Sequence, residues 1–248
     1  GAKVDFVDID PTTYNLCPKA LKKKLIKAKQ LGKLPKIIVP VHLSGQSCDM
    51  KAIHDLSKEY GFRIIEDASH AIGGKYLNKP IGNCEYSDIA VFSFHPVKII
   101  TTGEGGIALT NNSELSDSMS ILHSHGITKD LKKMTHKPDG KWYYQQINLG
   151  FNYRMTDIHA ALGISQLDRL DSYVSRRHKI ATRYNNLLKD LSVTIPYQHN
   201  DTYSSFHLYI IRLKDEKKHK MVFEYLRNKG VLVNLHYIPV HSLSLIHI

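Results

Sequence analysis

Asp88-Ile89-Ala90-Val91-Phe92-Ser93-Phe94-His95-Pro96-Val97-Lys98 is the stretch whose reading decides the fold. It opens as an apolar run of strand length and ends on a hydroxyl, an imidazole, a proline and an amine. A lysine after a strand is ordinarily a solvated surface residue. Here the turn Thr102-Gly103-Glu104-Gly105-Gly106 follows almost at once, so Lys98 is expected at a rigid strand end, in a pocket that lowers its pKa. Such an amine suits Schiff-base chemistry.

One strand upstream stands Arg63-Ile64-Ile65-Glu66-Asp67-Ala68-Ser69-His70-Ala71. A buried strand, expected over Phe62–Ile65, runs straight into two carboxylates. Either acid alone reads as a helix cap or a surface charge. Combined with His70 and the lysine loop, Asp67 reads instead as the carboxylate that keeps a pyridine nitrogen protonated. The cofactor implied is pyridoxal 5'-phosphate (PLP).

These segments resemble the DegT/DnrJ/EryC1/StrS sugar-nucleotide aminotransferases. The motifs are Glu66–Ala71, Ser87–Lys98, Ile100-Thr101-Thr102-Gly103-Glu104-Gly105-Gly106, His123-Ser124-His125-Gly126 and Leu149-Gly150-Phe151-Asn152-Tyr153-Arg154-Met155-Thr156-Asp157, in family order. The resemblance implies a fold-type-I PLP-dependent transferase of α/β class, its mostly parallel sheet covered by helices, with a smaller α+β C-terminal domain. It implies that Lys98 holds the cofactor and shuttles the proton, that Asp67 faces the ring nitrogen, and that His70 faces the ring hydroxyl. Ser93 is expected to contact the phosphate, His95 the cofactor pocket, and Asn152 the phosphate across a homodimer interface. Trp142-Tyr143-Tyr144 and Gly126-Ile127-Thr128-Lys129 are similar to the branch that aminates UDP-linked 4-keto-6-deoxy sugars for pseudaminic acid. The donor implied is glutamate. Another fold-type-I enzyme (a lyase or dehydratase), a basic nucleic-acid-binding protein and an inactive fragment are the rival readings.

Bulk properties narrow these little. The 248 residues carry a net charge of +11, and much of the excess falls between Lys19 and Lys33. Leu21, Leu25 and Ala28 recur there at helical spacing, so the lysines are expected on a solvated helix face, with no nucleic acid as partner. No apolar run reaches membrane length, which excludes a membrane-spanning reading. Cys17, Cys48 and Cys84 lack paired spacing and read as reduced thiols of a cytoplasmic protein. The histidines lack ligand spacing, so no metal site is expected.

Strands are expected at Val4–Val7, Ile37–Val41, Phe62–Ile65, Asp88–Ser93 and Gly106–Thr110, with a helix from Met50 to Tyr60. The alternation predicts a parallel-rich sheet with helices on both faces and a ligand at its strand ends. Residues 1–155 are expected to form the large PLP-binding domain. Residues 156–248 should add a long helix, Thr156–Leu188, and a small domain built as β-α-β from Phe206–Leu213, Met221–Lys229 and Val231–Val233. The Gly103–Gly106 turn lacks phosphate-loop spacing and reads as a tight connection. Family chains carry further sequence at both ends, and Leu243-Ser244-Leu245-Ile246-His247-Ile248 resembles a translated transposon mosaic-end adapter, the alternative being a divergent but genuine terminal strand. The chain is therefore expected to be cut at both ends, with an unpacked tail.

Overall fold

The computed structural model describes residues 2–243. Helix α1 (Pro18–Gln30) starts with proline at its first turn and buries Leu21 and Leu25, while Lys22, Lys23 and Lys27 stay in solvent. The lysine run is a solvated face, as its spacing predicts. Strand β1 (Ile37–Ile38) leads to α2 (Met50–Tyr60), where Asp49 accepts from the Ala52 amide and Gly61 closes the helix at φ +77°. Then follow β2 (Arg63–Asp67), the hairpin strands β3 (Lys75–Tyr76) and β4 (Lys79–Pro80), β5 (Ile89–Ser93), β6 (Gly106–Leu109) and α3 (Ser113–Leu122).

Strands β1, β2 and β5 are parallel, and β6 adds antiparallel to β5, giving the order β1-β2-β5-β6. Register assigns the faces. Ile64, Glu66, Ala90 and Phe92 share one side, where Ile64 packs under α1 and α2 with Met50, Ile53 and Leu56, and Ala90 and Phe92 pack with Ala68, Ala71 and Cys84. The opposite face carries Asp67 beside Val91, with Val41 bridged to Asp67. There Ile37, Val39, Val41 and Val91 are exposed, so α1 and α2 cover one side only.

The second part of the chain contributes β7 (Ile127–Thr128), β8 (Gln145–Gln146), α4 (Asp157–Leu167), α5 (Leu170–Leu188), β9 (Val193–Thr194), β10 (Thr202–Tyr203), β11 (Arg212–Leu213) and α6 (His219–Asn228). The expected single helix from Thr156 is two, divided at Asp168 and Arg169. Val174 of α5 packs on Ile99 and Ile100, which anchors this helix behind the Lys98 loop.

Three expected strands do not form as read. Val4–Val7 is irregular: the Phe6 and Ile9 amides turn to the carboxylates of Asp5 and Asp8, a local alternative to a ladder. Of Phe206–Leu213 only β11 pairs, with β9, and Val231–Val233 pairs with nothing among the described residues. A strand needs a partner for its backbone groups, which apolar content alone does not supply. No described helix is long and apolar enough to cross a membrane, and the three cysteines are free. The predicted tail at Leu243–Ile248 falls, beyond its first residue, outside the described residues.

Candidate active site

The site is built where β2 and β5 end. Strand alternation sends Glu66 inward and Asp67 to the open face. The Ser69 amide donates to Asp67 Oδ1 at 3.1 Å, and the turn that follows brings His70 back towards the same carboxylate. After β5, the Phe94 carbonyl accepts from the Thr102 amide and Thr101 Oγ1, closing a loop with Lys98 inside it. Gly105 sits at φ +155°, and a Cβ there would lie 2.4 Å from Thr102 Oγ1, so the turn requires glycine. This turn is a tight connection, as its spacing predicts.

Asp67 acts electrostatically on both Lys98 and His70, and Lys98 acts on His70. Burial pushes the Lys98 amine below its ordinary range, and Asp67 opposes that shift. Burial and then Lys98 push His70 down to about 4, so its ring is neutral at physiological pH. The Ser44 amide donates to His70 Nδ1 at 3.2 Å, which leaves the proton on Nε2, 3.2 Å from Tyr237 Oη.

Ser93 and His95 lie on the same loop. Ser93 Oγ accepts from the His95 amide at 3.4 Å, and exposed His95 has Nε2 3.9 Å from Glu104 Oε1. Asn152 belongs to a different segment, bridged to Ser124, and its Oδ1 accepts from Arg154.

Three partners of His70 carry no local signal in the sequence. His207 packs against His70 with ring centroids 4.5 Å apart, and burial and then His70 push it down to about 3. Its Nδ1 is buried without a hydrogen-bond partner. Tyr237 arrives from the opposite end of the chain, and Ser205 Oγ donates to the His70 carbonyl at 2.9 Å. Both segments read as small-domain strands or family-like sequence, and long-range contacts of this kind leave no local spacing.

An amine, a carboxylate and a neutral imidazole thus stand at the ends of parallel strands, in a fold shared with PLP-dependent aminotransferases. The chain belongs to the DegT/DnrJ/EryC1/StrS aminotransferase family, whose model matches residues 1–247. It is 38% identical over 248 residues to the UDP-4-amino-4,6-dideoxy-N-acetyl-beta-L-altrosamine transaminase of Campylobacter jejuni, covering 98% of this chain and 62% of that protein. Among solved structures, Helicobacter pylori PseC, an aminotransferase of pseudaminic acid biosynthesis, superposes with a TM-score of 0.85 at 31% identity, over 98% of this chain and 62% of that one. A Streptococcus pneumoniae protein described as a sugar aminotransferase, solved in its PLP form, gives 0.80 at 28% identity, over 97% and 63%. The chain thus spans just over three fifths of the length of these relatives.

PLP is the cofactor of this family, and the residues present suit it. Asp67 is an acceptor for a pyridinium, Lys98 an amine for an aldehyde, and the orphaned His207 Nδ1 a polar atom left for a ligand.

Proposed function

We propose that the protein is a PLP-dependent aminotransferase that moves an amino group from glutamate to C4 of a UDP-linked 4-keto-6-deoxy sugar, in surface-glycan biosynthesis of the pseudaminic acid type. The observation that carries this reading is the placement of Asp67 at the end of β2 beside β5, whose following loop holds Lys98, in a chain of this family.

Bound there, PLP supplies an electron sink for the carbon that loses its proton. Asp67 holds a proton at the pyridine nitrogen. The Lys98 amine would hold the cofactor's aldehyde carbon and would move the proton at the reacting substrate carbon. Burial favours its neutral, nucleophilic form. His70 offers Nε2–H to the ring hydroxyl. Ser93 serves the phosphate end, His95 lines the cofactor pocket, and Asn152 reaches the phosphate from the neighbouring subunit of a homodimer. Residues 1–155 form the PLP-binding domain and 156–248 the smaller one, in a cytoplasmic protein. The basic balance favours an anionic sugar nucleotide through long-range attraction.

The test is absorbance of the PLP-loaded protein before and after glutamate, followed by addition of the UDP-keto sugar. A spectral change with glutamate that reverses with the sugar, yielding the 4-amino sugar, is the expected result. Elimination without amine transfer would mean a lyase or dehydratase.

A further inference from the structure

Three side chains behind the site form a network that the proposed chemistry does not use. His42 is fully buried, and its Nε2 lies 2.7 Å from Glu66 Oε2. Ser87 Oγ donates to the other carboxylate oxygen, Glu66 Oε1. The Cys48 amide donates to His42 Nδ1 at 3.1 Å. The backbone of His42 also grips the next residue: its amide donates to the Asp67 carbonyl at 3.0 Å, and the Asp67 amide donates to Pro40 at 2.9 Å. One residue thus holds Glu66 by its ring and Asp67 by its main chain.

Two influences on the ring oppose each other. Burial works against a charge on His42, whereas the contacts with Cys48 and Glu66 favour one. A proton on Nδ1 would face the Cys48 N–H, so the hydrogen-bond geometry is the stronger constraint. The ring is neutral, with its proton on Nε2 donated to Glu66.

Adjacent acids at a strand end pose a register problem. A slip of one residue exchanges the two faces, bringing Glu66 to the site and Asp67 inward. An inward aspartate, one methylene shorter, would not reach His42 and Ser87 as Glu66 does. A buried carboxylate without such partners is strongly unfavourable.

We propose that the His42–Glu66–Ser87 network is a positioning device that ties the first acid into the covered face, so that β2 presents one carboxylate, Asp67, to the cofactor at fixed register. The proposal rests on Asp67 being the pyridine partner.

Four variants test it, each read by circular dichroism, by carbon-13 titration of the Asp67 carboxyl without cofactor, and by PLP affinity from absorbance. Replacing the network with His42→Leu plus Glu66→Leu should leave a folded protein with a displaced Asp67 titration and PLP affinity weaker by about tenfold. Glu66→Gln keeps an acceptor for His42 and should bind PLP within about twofold of the parent. Ser87→Ala removes one donor and should weaken PLP by about threefold, which decides the question if the double variant does not fold. Wild-type titration and affinity in the folded double variant, or in Ser87→Ala where only that variant folds, would overturn the proposal. Glu66→Gln losing PLP as severely as Asp67→Asn would overturn it too, by making Glu66 the partner. Asp67→Asn with unchanged affinity would sink the reading of Asp67 itself, whatever the network variants show.

Discussion

Each of the two adjacent acids at the end of β2 has one face of the sheet, and that division sets what single substitutions do. Asp67→Ala should fold yet be nearly inactive, losing on the order of 2–5 kcal/mol of transition-state stabilisation if its contact with the pyridinium is desolvated. Steady-state kcat beside an unchanged dichroism spectrum checks this, and ordinary rates would shift the role elsewhere. The imidazoles carry a second expectation. His70 and His207 are held near 4 and 3, below their unfolded value of 6.5, so the unfolded chain binds more protons between those limits. Stability therefore rises with pH through that window and is lost as pH falls from 6.5 towards 4. Melting temperature followed over pH 4–7 should show this slope, and His70→Gln with His207→Gln should flatten it. An unchanged slope would mean that carboxylates alone govern the acid limb.

At the scale of elements, α1 offers a clean comparison between a buried and a solvated face. Leu25→Ala should cost about 2–5 kcal/mol by leaving a cavity between α1 and α2. Lys23→Ala on the exposed side should change stability by no more than about 0.5 kcal/mol. Urea denaturation of both variants checks the pair, and a large loss for Lys23→Ala would revive a specific role for the lysine run. Legibility in the sequence followed the same physics. The central strands, α1 and α2 are legible because period carries them. The strand expected at Val4–Val7 failed because Asp5 and Asp8 offered its amides a local alternative. The break between α4 and α5 at Asp168 and Arg169 went unread because neither glycine nor proline marks it. His207 and Tyr237 were missed because they reach His70 from more than a hundred residues away. The division between Glu66 and Asp67 needed the register of β2 against β5, which no single sequence states.

Over the whole molecule, the second half of the chain leaves apolar surface open, which the proposed homodimer would cover. Helix α4 buries none of its residues, while Ile158, Leu162, Ile164 and Leu167 are exposed, Ile158 at 82%. A helix this apolar is ordinarily covered. In the proposed homodimer the partner covers it and Asn152 completes the neighbouring site. Light scattering should give twice the chain mass, and Ile158→Asp should shift the population towards monomer with loss of PLP binding. An active monomer would contradict the dimer. Lys98 is the proposed carrier of the cofactor, and covalent mapping decides it. The PLP-loaded protein is reduced with borohydride, digested, and its peptides are sequenced by mass spectrometry. The account predicts one pyridoxyl group, on Lys98, and none in Lys98→Ala. A label on a different lysine, or no label on a protein that still transaminates, would contradict it.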